Sequence, residues 1–364
     1  MESYIKNRLL ETTENFKRLA GIYNKWNYNK TMCFHLIETA NTFEQIIGTD
    51  RTQDEIYKQY ALKIKKKLAS KGIKTGEVFF NYDRGEKINV VFSAWLKSGC
   101  QKSEVMSGII SDIIGRNMRV SACSRMILST VVNEYVFEEM PNFFELHGGA
   151  INSKKKGEVS GDAYTFISNR NNEFVMAISD GMGTGKNAAR DSGEVMDFVE
   201  EYVEAGFSTE KMPYLINEAL MESGRDIPVT IDIAIIDMNT GILKIMKSGG
   251  AATFIKKKDE VKIIYPSSLP LGVISEAEPY DAKMQLEDGD YIIMISDGVA
   301  DCLPFYDKEK QLSKIISESG ENNPEKMADR ILNECRYFNG GENSDDMTVL
   351  VAGVWKIKNL QYKK

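Results

Sequence analysis

The sequence predicts an α+β fold: a ββ sandwich flanked by helices, preceded by a helical segment and a small α/β unit. Three features of the pattern predict it. Apolar residues recur every three to four positions as far as Ser70, and at Gly72 the pattern changes to alternation. From Phe143 onward short apolar strands dominate, broken by turns rich in Gly, Asn and Asp. Long amphipathic stretches interrupt those strands at intervals, an arrangement of helices covering the outer faces of packed sheets.

Taken in order, Ile5, Leu9, Thr12, Phe16, Leu19, Tyr23 and Trp26 fall at alternating steps of four and three. This a/d-like stripe suits a helix packed on its own domain or a coiled-coil seam in a dimer. A second helix is expected over 33–47 and a third over 54–70, where Ile56, Tyr60, Ile64 and Leu68 recur above a solvated face of Lys63, Lys65, Lys66 and Lys67. Strands are expected at 77–82 and 87–95, a helix at 102–115, and strands at 119–124 and 126–138. Residues 1–73 thus read as a helical regulatory or dimerisation segment and 74–138 as a small α/β regulatory module, with a third domain over 139–357 after the break at Pro141. Within that domain helices are expected at 184–206, 208–223, 308–319 and 324–336. Strands are expected at 230–238, 243–248, 253–258, 261–265, 280–285, from 291, and at 346–354.

Composition narrows the function. A chain of 364 residues, 42% hydrophobic, can bury a sizeable core across about two domains. The formal net charge of −7 argues against a nucleic-acid binder acting through its overall field. Five cysteines, an odd number with no CxxC pair, fit a reduced, cytoplasmic chain. No stretch approaches a membrane span of ~20 apolar residues, and the start shows no signal peptide. With only His35 and His147 present, histidine-based dyads and metal cages have little material.

The chemistry concentrates in aspartates at strand boundaries. Asp162 opens one apolar segment and Asp180 closes the next, the two joined by a polar turn at 168–173, so an antiparallel hairpin would bring both carboxylates to one end. Ser-Asp-Gly recurs at Ser296-Asp297-Gly298 after a second apolar strand, and Ser344-Asp345-Asp346 opens the last one. Asp162, Asp180, Asp297 and Asp345 converging on one edge of a sandwich would repel each other unless about two hard divalent cations, Mn²⁺ or Mg²⁺, compensated. Two such ions suit in-line phosphoryl hydrolysis by an activated water. The glycine-rich run from Gly181 to Lys186 imitates a phosphate-binding loop, but Asp180 stands where its first glycine belongs and Asn187 replaces its hydroxyl residue. That run is better suited to letting the Gly181 carbonyl approach a metal, with Lys186 as a further group for a phosphate. No cysteine-phosphatase loop and no GxSxG elbow is present.

Gly-Glu-Val-Ser-Gly-Asp162, Ser-Asp180-Gly-Met-Gly, Leu-Pro-Leu-Gly272, Ser-Asp297-Gly and Asp345-Asp-Met-Thr-Val, in this order, resemble the motifs of the PPM (type 2C) Ser/Thr phosphatases, in the form of the stage II sporulation protein E (SpoIIE) type. The resemblance covers about 140–356 and extends more faintly upstream. It implies a PPM-type ββ sandwich with a two-ion centre in which Asp162, Asp297 and Asp345 bind metal, Asp180 bridges, and the Gly181 carbonyl is a further ligand. Asp345 aligns with the usual ligand and Asp346 with a position often held by Asn, which leaves the choice between them open. It also implies a phosphoprotein substrate, a phosphorylated STAS-domain anti-sigma factor antagonist, and a homodimer. The chain lacks the membrane-spanning region of the SpoIIE type. A catalytically silent PPM-like signalling scaffold is the rival reading, and retention of all four aspartates disfavours it. Hydrolysis of small phosphate esters is a third reading that fits the same centre.

Overall fold

The computed structural model describes residues 12–18, 20–21, 30–47, 55–82, 88–122, 124–154, 159–169, 172–181, 185–204, 209, 212–222, 228–265, 269–271, 280–304, 306–340 and 345–357. The chain separates into two compact units, 1–141 with 359–364, and 142–358. Most of the predicted stripe between Ile5 and Trp26 lies outside the described residues, although 12–18 and 20–21 are helical.

The first unit holds helices α1 (Lys30–Ile47), α2 (Glu55–Ser70) and α3 (Glu104–Ile114). Its four-stranded antiparallel sheet has the order β1 (Ile73–Tyr82), β2 (Ile88–Leu96), β6 (Asn133–Glu139), β4 (Met118–Val120), while β3 (Gln101–Lys102) pairs with β5 (Ile127–Leu128). Alternation decides which face is buried. Ile88, Val90, Phe92, Ala94 and Leu96 of β2 point into the core, where they meet Ile64 and Leu68 of α2 and Met106 and Ile110 of α3. Helix α2 stops at Ser70, and Gly72 just beyond it takes φ +77°, the left-handed conformation glycine adopts without a Cβ penalty.

Two strands differ from expectation for local reasons. β1 begins four residues before the predicted 77 because its register shifts between Thr75 and Val78, and such a bulge breaks the alternation that marks a strand. The strand predicted over 126–138 is interrupted: Leu96 N–H donates to the Ser129 carbonyl, and the Val131 N–H turns back to Ser129 Oγ at 3.2 Å.

The second unit is the predicted sandwich. One sheet runs β14 (Tyr280–Gln285), β11 (Ile242–Ser248), β10 (Val229–Asp237), β9 (Glu173–Gly181), β8 (Asp162–Ser168). The other runs β13 (Val261–Ile264), β12 (Thr253–Lys256), β15 (Asp290–Ile295), β16 (Met347–Lys356), β7 (Phe143–Asn152). Ile292 and Met294 of β15 and Leu350, Ala352 and Val354 of β16 face inward, against Phe174, Met176, Ile178, Ile236 and Ile245. The alternate residues Ile293, Ile295, Val349 and Val351 face outward, under α7 (Lys308–Glu318) and α8 (Pro324–Phe338) through Leu312, Ile316, Met327 and Ile331. Covering on both faces explains why these strands read as unbroken apolar runs. On the other sheet α4 (Lys186–Glu204) packs against β8 and β9, and α5 (Met212–Glu222) follows it. Among the described residues no helix is long and apolar enough to cross a membrane.

Candidate metal centre

The hairpin β8–β9 closes through its own turn chemistry. Asn169 accepts from the Glu173 N–H at 3.0 Å, and Asn172 takes φ +56°, a conformation Asn tolerates better than most residues. That turn fixes the register, and the register sets Asp162 directly opposite Asp180. β10 pairs on the far side of β9, with Thr230 opposite Asp180. Thr230 Oγ1 accepts from the Asp180 N–H at 3.3 Å.

The other sheet brings the remaining aspartates. After β15 the chain turns at Ser296 into the short helix α6 (Asp297–Asp301), so Asp297 opens a helix where a strand end was expected. The Asp297 and Asp180 carboxyl groups lie close enough to act on each other's protonation. Gly298 is forced here, because a Cβ would collide with the Asp346 carbonyl oxygen. Gly181 is forced in the same way by the Ala188 carbonyl. Lys186 stands exposed at the start of α4.

The two adjacent aspartates before β16 have separate tasks. Asp346 is buried, and its oxygens accept the Lys154 and Gly161 N–H groups, each at 2.6 Å, tying both residues to the start of the last strand. Among the described residues Asp345 accepts from the Asp346 N–H, at 2.9 Å, and its charge acts on both Asp180 and Asp297. Thr348 Oγ1 donates to Asp162 Oδ2 at 2.6 Å, and Ser192 of α4 donates to the Gly161 carbonyl at 2.6 Å.

Electrostatics follow from this crowding. Burial, then the charges of Asp162 and Asp297, push the Asp180 carboxyl up to about 9. Burial raises Asp162 to about 6 against the pull of its Thr348 and Ser296 hydrogen bonds. Asp297 is raised as well, again chiefly by burial. Among the described residues no three ligating side chains already close on one point. The donor set is nevertheless all oxygen and over-supplied with negative charge, which fits hard divalent ions replacing the bound protons.

Sequence reasoning locates the four aspartates but misses their supports, Thr230, Thr348, Ser296 and the Asp346 clamp. It also misses the buried pair Asp232–Lys247, opposite each other on β10 and β11. Burial drives Asp232 up and Lys247 down, each partly offset by the other. The sequence signal is a charge inside each of two apolar strands, Asp232 in β10 and Lys247, three residues after Lys244, in β11. His147 stacks on Phe166 and Phe174, at 4.5 and 5.3 Å, and serves packing.

A family model for stage II sporulation protein E (SpoIIE) matches residues 170–355, about half of the chain. The chain belongs to the SpoIIE family. Two curated relatives carry that name. The one from Bacillus subtilis (strain 168) is 30% identical over 260 residues, 71% of this chain and 31% of the relative. The one from Priestia megaterium is 34% identical over 207 residues, 56% of this chain and 35% of the relative. The chain therefore spans about a third of the length of the curated relatives it matches. A solved structure of the PP2C phosphatase domain and a regulatory-domain fragment of SpoIIE from Bacillus subtilis aligns with 88% of this chain and 93% of its own, at TM-score 0.65 and 26% identity. By family and fold, the unit 142–358 is a PP2C-type (PPM) Ser/Thr protein phosphatase domain.

Proposed function

We propose that this chain hydrolyses phosphoserine or phosphothreonine on a protein, using two divalent ions, Mn²⁺ or Mg²⁺. The observation that carries the reading is the hairpin register that sets Asp162 opposite Asp180, with Asp297 at the start of α6 acting on Asp180 from the other sheet's side. Carboxylates from three segments far apart in sequence crowd there with no basic side chain among their neighbours in the described hydrogen bonds.

In this reading Asp162, Asp180, Asp297, Asp345 and the Gly181 carbonyl would hold the ions. When bound, such ions lower the pKa of water and neutralise phosphate oxygens. The chain's own contribution is orientation. Thr348 fixes Asp162, and the Asp346 clamp leaves Asp345 as the ligand of that adjacent pair.

The substrate class, a phosphorylated STAS-domain anti-sigma factor antagonist, is the one the family resemblance implies. The cysteine pattern supports a cytoplasmic location, the resemblance a homodimer, and the residue patterning together with the resemblance a division into a helical regulatory segment (1–73), a small regulatory module (74–138) and the phosphatase domain (139–357).

The test is phosphate release from a phosphoserine-bearing STAS-domain protein and from free phosphoserine, with and without Mn²⁺. Asp180→Asn should lower Mn²⁺-dependent turnover on the order of 10²- to 10³-fold, the scale of losing one preorganised charge-stabilising group. Release from free phosphoserine but not from the protein would favour a small-ester phosphatase. No release at saturating Mn²⁺, with the protein still bound, would favour a silent scaffold.

A further inference from the structure

Asp232 lies two residues from Thr230, on the same face of β10, and its register partner on β11 is Lys247. The two side chains are 2% and 0% exposed. Asp232 Oδ2 takes a hydrogen bond from Lys247 Nζ, which also donates to Thr253 Oγ1 at 2.9 Å. The other carboxylate oxygen, Oδ1, has no hydrogen-bond partner among the described residues. A buried carboxylate oxygen is costly to leave so, and an ion pair that served only to brace the sheet would be expected to engage both oxygens.

The surrounding space supplies a reason. A cavity of about 90 Å³ is lined by Asp232 together with Asp180, Thr230, Gly250, Ser296 and Asp297. That volume accommodates about three waters at ~30 Å³ each. Gly250 packs against the carboxylate where a side chain would crowd it: its φ is +74°, and a Cβ there would lie 3.2 Å from Asp232 Oδ1. Asp232 therefore lines, with Ile178, Ala251 and Ile295, one small pocket that it shares with two of the four clustered aspartates.

We propose that Asp232 is a positioning residue of the divalent-ion site: held down by Lys247, it accepts through Oδ1 a hydrogen bond from the hydration water of the cation at Asp180 and Asp297. This rests on reading those aspartates as metal ligands. Lys247 sets the rotamer and compensates the charge, so the oxygen stays anionic in a place that water-poor packing would otherwise neutralise. The pair thereby links β11, which carries none of the four clustered aspartates, to the centre.

The experiment is Mn²⁺ titration by calorimetry on the whole chain, with the electron paramagnetic resonance line shape of the bound ion. Wild type is compared with Asp180→Asn, Asp232→Asn and the double variant Asp232→Leu/Lys247→Met, each checked by thermal melting. Asp232→Asn strands Lys247 and can fail to fold, whereas the double variant buries no charge and is expected to melt cooperatively. The expected result is a loss of about 10- to 100-fold in Mn²⁺ affinity in the folded double variant, with an altered line shape, the scale of removing a partner one step beyond the ligands. A folded double variant that binds Mn²⁺ with wild-type affinity and line shape, while Asp180→Asn binds weakly, overturns the proposal and leaves the metal centre intact. Wild-type affinity in Asp180→Asn overturns the metal reading itself, and this proposal with it.

Discussion

Asp180 and Asp232 lie on neighbouring strands of one sheet, and the fold treats their charges in opposite ways. The register of β10 against β11 gives Asp232 a lysine, Lys247, and the two are buried together. The register of β8 against β9 gives Asp180 another carboxylate, Asp162, and the facing sheet adds Asp297. A sheet able to neutralise one buried carboxylate so directly leaves the next one among like charges. Nothing in packing favours that arrangement, since it costs stability unless protons or cations are added. Where a fold declines to compensate its own charge, a ligand of opposite sign is the natural complement.

The largest expected effect breaks the compensated side. Lys247→Met should destabilise the chain by about 3–5 kcal/mol, because it leaves a buried carboxylate without its cation. Asp232→Leu/Lys247→Met should recover most of that loss, as apolar replacement of a whole buried pair often does. Urea unfolding of the two variants measures the difference. If the single and double variants unfold alike, Asp232 carries no charge to compensate and the contrast with Asp180 collapses.

A smaller effect sharpens the uncompensated side. Asp180 is raised to about 9 and Asp162 to about 6, against a usual value of 3.8. The folded chain therefore binds these protons more tightly than the unfolded chain. Their stabilisation is fully present below pH 3.8 and is lost as pH rises through 6 and then 9. Without metal, the melting temperature of wild type should fall between pH 6 and 9 relative to Asp180→Asn, which has no such proton to lose. Saturating Mn²⁺ should abolish the fall, because cations then take the place of the protons. Parallel pH profiles for the two proteins without metal would show that Asp180 titrates as an ordinary surface carboxylate.

Much of this centre is legible in the order of the amino acids, and the limits have physical causes. Asp162 facing Asp180 follows from two apolar segments and an Asn-rich turn, all local information. Asp297 reads as a strand end because a helix of five residues is too short to show a period. The task of Asp346 is hidden, since it depends on Lys154 and Gly161 meeting a residue nearly two hundred positions later. Asp232 and Lys247 look like interruptions of two apolar strands, and only the register of β10 on β11 makes them partners. In the first unit, the bulge before Val78 conceals the start of β1 for a similar reason: alternation fails where two residues oppose one. The sandwich itself is easy to see because its strands are apolar and bounded by turns.

The central claim is that Asp162, Asp180, Asp297 and Asp345 stand close because cations belong between them. Anomalous diffraction from crystals grown with Mn²⁺ tests it most directly. The expected result is two peaks beside Asp180, each within coordinating distance of the clustered carboxylates. Crystals that bind Mn²⁺ elsewhere, or not at all, would contradict it.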